Sequence, residues 1–597
     1  MMISVNYQKR KNLELFKSLE SPKSLFITET QNYIPIYTRF FALNESNFNS
    51  INLNHKWYIS SMNETDDDCN NLYNCRIKNI INNKTKDIDV FFKMAPLLDP
   101  YKFLIGKYSP EDPKLFNLPK INSNETDTNA KFLDNNNSAY VDGLFLFLTS
   151  NLIHTNNFFH GVDYYGSFLA IKNDFKMNVF DDIDYLNNFE YFNKNKNVLF
   201  TVEDYQHLFS EENTKLPPIT IQHNSTAKSC ISINSFNDQI FEDVFDENKI
   251  INNLDDLKNT DFELLDITNM DIKNNDNTVT LKSNSSCSSR SSHTSLDENE
   301  NDDDNEDEDG EHCENCGDNQ ENDENVEDDD EENWEDVEEE EEETIELTIP
   351  KFPVQVICME NCENTFDDLI INNELSKEEW LSAFMQIIMI LITYQKAFGF
   401  THNDLHTNNV MYNETDKKYI YYCYKKKYYK VPTFGRIFKI IDFGRAIFKF
   451  NGNLFCSDSF QPGGDAASQY NIEPYFNDKK PRLEPNYSFD LCRLACSIFD
   501  YLVDDISEVK DLSTCDDPIK RIVVEWCLDD KGINMLYKNN GMDRYPEFKL
   551  YKMIARCVHN HTPQAQLLRP EFEAFSKFKG EVQKDNLIDI DSIPVYM

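Results

Sequence analysis

Between Gly399 and Tyr412 the chain reads Gly-Phe-Thr-His402-Asn403-Asp404-Leu405-His406-Thr407-Asn408-Asn409-Val-Met-Tyr. A carboxylate, Asp404, stands five positions ahead of a carboxamide, Asn409. A hydrophobic run, Ile437-Phe-Lys-Ile-Ile441, then delivers Asp442-Phe443-Gly444. Phosphoryl transfer needs this set of parts. One carboxylate orients the attacking hydroxyl and accepts its proton. An amide and a second carboxylate hold the divalent ions that neutralise the phosphates. Gly444 lets the backbone turn sharply behind the second carboxylate.

Helices and strands must carry these loops. Trp380, Phe384, Ile387, Ile388 and Leu391 recur at helical spacing and predict an amphipathic helix over about 377–398, just ahead of Asp404. Ser376 and Glu379 form a capping box at its start, and Gly399 closes its end. Leu491, Leu494, Ala495, Ile498, Phe499 and Leu502 predict a second such helix. Residues 138–153 predict a helix buried on most sides. Asp89 to Ala95 and Pro353 to Met359 read as strands, and Phe158 to Lys172 as a strand pair turning near Gly166. The Asn-, Asp- and Pro-rich stretch 110–137 reads as a long surface loop.

Taken in order, after an apolar helix and a buried strand, Asp404, Asn409 and Asp442-Phe443-Gly444 resemble the protein-kinase-like superfamily. The pattern around Asp404 is similar to that of kinase-like proteins encoded by giant DNA viruses of amoebae. The resemblance covers both ends of the chain and skips its acidic middle. It implies an α+β, bilobal fold. The small lobe would span residues 25–172, closed by a strand and hinge at 351–362, and a mostly helical large lobe would span 363–590. Residues 1–24 would form an N-terminal extension and 591–597 a tail. ATP would bind between the lobes, with Mg²⁺, or Mn²⁺ in its place, on Asn409 and Asp442. Asp404 would be the catalytic base, and His406 would donate a hydrogen bond to the γ-phosphate.

The resemblance also implies that Lys93 pairs with the phosphates, with Asp142 of the 138–153 helix as its carboxylate partner. Lys172 is a rival for that role by local motif. Met359 would line the back of the adenine pocket, with the Glu360 carbonyl and the Cys362 amide facing the base. Asp490 would brace the Asp404 loop from below, and Arg569 would pair with Glu473 or Glu484. The activity implied is transfer of the γ-phosphoryl group to a Ser or Thr hydroxyl of a protein substrate. The alternatives are an inactive pseudokinase scaffold and a small-molecule kinase of the aminoglycoside and choline type, which His406 resembles.

Several positions depart from the pattern. No Gly-x-Gly-x-x-Gly exists, and the first glycine of the chain is Gly106, so nothing like a glycine loop precedes Lys93. Asp142 is the only acid in its helix and is shorter than the usual glutamate. Asn403 replaces the arginine before the catalytic aspartate, and His406 replaces a lysine two positions after it. Asp442 follows Asp404 by 38 positions, about twice the usual spacing. The excess, Tyr419 to Val431, reads as an inserted hairpin, solvated with one packed face, although its aromatic and basic alternation also fits nucleic-acid stacking.

Composition bounds the rest. The 597 residues carry 105 acidic and 58 basic side chains, a formal charge of −47. Such a chain has no general electrostatic affinity for nucleic acid or an anionic membrane. Residues 297–346 hold 31 of the acids and no Lys or Arg, so the remainder carries only about −16. Residues 173–350 are expected to be an insertion, with order continuing no further than about Asp204 and the rest disordered, Ser-rich and then acidic. That tract would act as a solubilising linker, or occupy a basic groove on its own chain or on a partner. Ser295-Leu-Asp-Glu298 within it suits an acid-directed kinase, and Cys313-Glu-Asn-Cys316 lacks the second pair that a zinc site needs. Fifteen scattered Cys and no apolar leader point to a soluble protein in a reducing, cytoplasm-like compartment.

Overall fold

The computed structural model describes residues 3–63, 71–203, 344–372, 375–546 and 548–597. The expected Ser cluster, acidic block and Cys313–Cys316 pair lie outside them. The architecture is mixed α+β with several sheets.

The main sheet contains β1 (Ile27–Gln31), β2 (Trp57–Met62), β3 (Leu72–Asn79), β4 (Thr85–Pro96), β5 (Tyr164–Asn178), β6 (Thr201–Val202) and β7 (Glu346–Glu360). Its order is β1-β5-β7-β4-β3-β2, antiparallel throughout, with β6 pairing the start of β7. β7 is central. From Phe352 to Met359 every residue is buried, as a continuous apolar run covered on both faces should be. Its pairing sets Lys93 of β4 opposite Ile357.

One long strand replaces the strand pair expected over 158–172. β5 begins at Tyr164 and Gly166 marks a bulge, not a turn, because the register against β7 shifts between Tyr164 and Gly166. Ordered elements also pass the expected edges of the insertion. β5 continues to Asn178, two short helices and β6 follow by Val202, and β7 starts at Glu346 instead of Pro353. The 110–137 stretch carries two short helical turns, Pro113–Leu115 and Ala130–Leu133. The N-terminal helix Leu13–Leu19 packs on the sheet through Phe16, 5.0 Å from the Phe168 ring. Tyr596 stacks on Phe398 at 5.4 Å, so the expected 591–597 tail is docked on the helix Lys377–Phe398.

Helix α1 (Ser138–Asn156) lies against this sheet, with an apolar residue or its backbone buried around most of its circumference. Asn137 caps its start by accepting from the Ala139 amide, and Asn157 ends it at φ 57°. A Cβ at Gly143 would stand 2.2 Å from Gln355 Nε2 of β7, so only glycine lets helix and sheet approach so closely.

The C-terminal part is built on α2 (Lys377–Phe398), with α3 (Phe489–Leu502), α4 (Pro518–Trp526) and α5 (Lys549–Cys557) around it. The capping box at Ser376 and Glu379 forms, and Gly399 ends α2 at φ 58°. By length and composition alone α2 could cross a membrane, but almost all of it is buried within the protein. Small sheets follow. β8 (Asn364–Thr365), β9 (Val410–Glu414) and β12 (Arg436–Ile440) form one. β10 (Tyr419–Tyr424) and β11 (Lys427–Pro432) form the expected hairpin, with Lys425 and Lys426 both at positive φ in a two-residue turn. Its packing differs from a solvated ribbon. Tyr421, Tyr422 and Cys423 are buried, and β10 gains a parallel partner in Leu587–Asp589.

Candidate functional site

The stretch from Gly399 to Asn409 is irregular backbone held by side chains from distant elements. Asp490, at the start of α3 and fully buried, accepts from the His402 amide at 3.1 and 3.0 Å and from the Asn403 amide at 2.9 Å. It therefore braces this loop and does not serve only as a cap. His402 Nε2 donates to the Ile441 carbonyl at 2.9 Å, tying the loop to the approach of Asp442. Asn403 sits at φ 65° and is fully buried. Its amide donates to the Arg445 carbonyl at 2.9 Å and its oxygen accepts from Tyr470 at 2.8 Å, so this asparagine is structural glue and carries no charge.

Asn409 donates through Nδ2 to the Asp404 carbonyl at 2.9 Å and to His406 Nε2 at 3.1 Å. Its amide NH₂ is thus spent, and the oxygen remains as the ligating end. His406 accepts through Nε2, so its proton rides on Nδ1, which meets no partner among the described residues. Burial pushes this imidazole down to about 4, leaving it neutral at pH 7.

Lys93 of β4 reaches two carboxylates. Its Nζ lies 2.7 Å from Asp142 Oδ2 on α1 and 3.0 Å from Asp442 Oδ1. Burial opposes its charge, but the two carboxylates outweigh burial and hold its pKa above the ordinary lysine value. The acids divide accordingly. Burial pushes Asp142 up in spite of Lys93, whereas Lys93 overcomes burial at Asp442 and holds it down. Asp142 Oδ1 also accepts from the Phe443 amide at 2.9 Å, so α1 fixes the residue next to Asp442 as well as the lysine. Asp442 itself sits at φ 60° and leaves 48% of its side chain exposed. The Phe443 ring points inward. It meets Phe145 of α1 at 4.7 Å, and Phe145 stacks on Phe400 at 4.4 Å, joining α1 to both functional loops through one aromatic cluster. Lys172, the rival lysine, pairs with Ile27 and Phe352 in the ladder, six residues beyond Gly166 and five positions along β7 from Ile357, the partner of Lys93.

The residues at the end of β7 are used differently from one another. Met359 is buried and pairs with Phe91 and Tyr164. The Glu360 carboxylate takes Lys439 of β12 at 2.9 Å, Asn413 at 2.8 Å and the Asp163 amide at 2.9 Å, which binds the end of the sheet's central strand to the C-terminal part. Cys362 is half-buried, and burial pushes its thiol up to about 12. Arg569 does not pair with Glu473 or Glu484. Those two share Arg482, and Arg569 instead meets Glu525 at 2.5 Å. Cys423, Asp589 and Asp591 converge near the hairpin, but Asp591 already accepts from the Lys425 and Lys426 amides at 2.8 Å and closes the turn.

Four residues at the site escaped the sequence reading. Tyr551 of α5 donates to Asp404 Oδ1 at 2.8 Å, and Arg493 Nε of α3 donates to the Tyr551 oxygen at 2.9 Å. Arg445 lies 3.5 Å from Asp404 Oδ2 and pairs with Asp465 at 2.7 Å. Burial opposes the Asp404 charge, but Arg445 and its neighbours outweigh it and hold this carboxyl far below the usual range. Arg493 had a signal, an arginine next to the apolar stripe of a predicted helix. Tyr551, 147 positions from Asp404, had none.

No protein-family model matches the chain, and no curated protein matches it. The geometry therefore stands alone. It joins Lys93, Asp142, Asp404, His406, Asn409 and Asp442 in one connected set, linked through the His402–Ile441 bond and the Phe145 cluster.

Proposed function

We propose that the chain is an ATP-dependent protein kinase with a bilobal kinase-like fold, transferring the γ-phosphoryl group to a Ser or Thr hydroxyl. The observation that carries this reading is Lys93 held between Asp142 and Asp442, two acids from separate elements. A lysine on a sheet strand paired with a helix carboxylate, beside a metal-binding aspartate, is the arrangement that kinase chemistry uses to hold ATP phosphates. The sheet with α1 forms the small lobe and the α2-centred part the large lobe.

The donor set fits a divalent ion. The amide oxygen of Asn409 is the end not engaged by Asp404 and His406, and the bonds to Asp442 fall on Oδ1 and leave Oδ2. Mg²⁺ held there would neutralise phosphate charge. The residues do the remainder. Asp404 accepts a hydrogen bond from the substrate hydroxyl and aims its oxygen at the γ-phosphorus. The new O–P bond forms as the bond from the γ-phosphorus to the bridging oxygen breaks. ADP departs with that electron pair, and the hydroxyl proton passes to Asp404. Contrary to expectation, neutral His406 does not reach the phosphates: its Nδ1 is buried, and its Nε2 holds the Asn409 amide, so its part is to fix the oxygen of Asn409 toward the ion. Catalysis by this reading is mainly positioning and charge neutralisation.

The test is phosphoryl transfer from γ-labelled ATP by the purified chain, with Asp442→Asn alongside. Labelled protein that falls by about 100-fold or more in the variant is the expected result. No transfer, with Mg-ATP still protecting against heating, would replace this reading with a scaffold. Label passing only to small metabolites would replace the protein substrate.

A further inference from the structure

The Asp404 carboxylate is not free, and its environment has a direction. Tyr551 and Arg493 are each only 1% exposed. A guanidinium can only donate, so the bond from Arg493 Nε makes the Tyr551 oxygen an acceptor. The single phenolic proton must then go to Asp404 Oδ1, 2.8 Å away. The relay therefore runs one way, from Arg493 to Tyr551 to Asp404. Packing fixes the phenol as well. Its ring stacks on Phe548 at 5.3 Å, and the Arg493 guanidinium lies 5.1 Å from the ring centroid. The second carboxylate oxygen is in a different situation. Arg445 Nη1 is 3.5 Å from Oδ2, too far for a hydrogen bond, and is held back by Asp465 at 2.7 Å from Nη2.

We propose that Tyr551 is a positioning residue that clamps Oδ1 of Asp404, so that Oδ2 alone faces the substrate hydroxyl. This rests on the kinase reading above, since it assigns Oδ2 as the atom that orients the acceptor. A carboxylate free to rotate about χ2 presents two equivalent oxygens and no fixed line of attack. With Oδ1 bound to a buried, packed phenol, one orientation survives, and the hydroxyl is aimed without induced rearrangement. Arg445 adds positive charge on the Oδ2 side without occupying the oxygen. Tyr551 is too deeply buried to be exchanged for a substrate side chain, which separates it from an autoinhibitory mimic.

The experiment compares wild type, Tyr551→Phe, Asp404→Asn and the double variant in the labelled-ATP assay, with kcat and the KM for ATP measured separately. Tyr551→Phe is expected to lower kcat by about 10- to 100-fold, the worth of one hydrogen bond to a charged group, with the KM for ATP within about twofold. In the Asp404→Asn background the same substitution should cost nothing further, because its effect passes through that carboxylate. An unchanged kcat in Tyr551→Phe overturns the proposal. So does an equal loss in the Asp404→Asn background, or a KM rising in step with the fall in kcat, since either marks a general structural role. If wild type transfers no phosphoryl group, the functional reading fails first and this proposal falls with it.

Discussion

His160 shows what one buried side chain can report about the whole. It is fully buried, with Nδ1 donating to the Phe438 carbonyl at 2.7 Å and Nε2 accepting from the Tyr422 hydroxyl at 2.7 Å. The bond accepted at Nε2 requires the neutral ring. Burial pushes its pKa down to about 4, while the unfolded value is about 6.5. As pH falls the unfolded chain therefore takes the proton first. The ring's contribution is whole above about pH 6.5 and is lost as pH drops toward 4, at about 1.4 kcal/mol per pH unit. Glutamine keeps a donor and an acceptor but does not titrate. The stability gap between wild type and His160→Gln should thus shrink by about 1 kcal/mol from pH 6.5 to 5.5, read by urea unfolding. A gap that stays constant would mean that the ring is already charged or hydrated in the folded state.

At the scale of elements, the short Asp142 side chain raises a question of reach. An aspartate is one methylene shorter than the glutamate the kinase pattern leads one to expect, yet it contacts Lys93 at 2.7 Å. The neighbouring residue supplies the answer. Gly143 lets α1 settle onto β7 until Gln355 Nε2 fills the space of a Cβ, and this close approach carries Asp142 to the lysine. Gly143→Ala should therefore cost about 1–3 kcal/mol by overpacking, although alanine favours a helix by about 1 kcal/mol. It should also lower phosphoryl transfer more than a stability-matched core substitution elsewhere, because the helix moves away from Lys93. Equal activity in the two would place the tight contact outside the site's alignment. The same region marks the boundary of what the sequence could disclose. α1, α2 and the Asp404 and Asp442 loops were legible because their signals are local: helical periodicity, a capping box, a carboxylate and an amide at fixed spacing. The 164–178 strand was misread as a pair because Gly166 signals a turn and a bulge equally well. Tyr551 and Asp465 were invisible because their partners are set by packing between elements far apart in the chain.

At the scale of the molecule, the acidic middle is joined to the rest at two points that lie side by side. The Glu203 amide donates to the Glu346 carbonyl at 2.9 Å, and Val202 pairs with Leu347. Residues 204–343 thus leave and re-enter the sheet at one edge, and a link of about ten residues would span the gap. Closure entropy rises only with the logarithm of loop length, so exchanging about 140 residues for ten favours the folded state by about 2 kcal/mol. It also removes nearly all of the 31 acids of the 297–346 block, whose mutual repulsion opposes compaction. The cut must stop at residue 343. Ile345 is buried and its carbonyl accepts from the Val179 amide at 2.9 Å, so trimming further would strip a sheet contact. A chain with 204–343 replaced in this way should melt at the same temperature as the full protein or a few degrees above it by calorimetry, with phosphoryl transfer to an added protein substrate unchanged. A lower melting temperature would show that the segment lends the sheet contacts that offset its entropy and charge. A loss of transfer at equal stability would instead assign the segment a part in bringing substrate to Asp404.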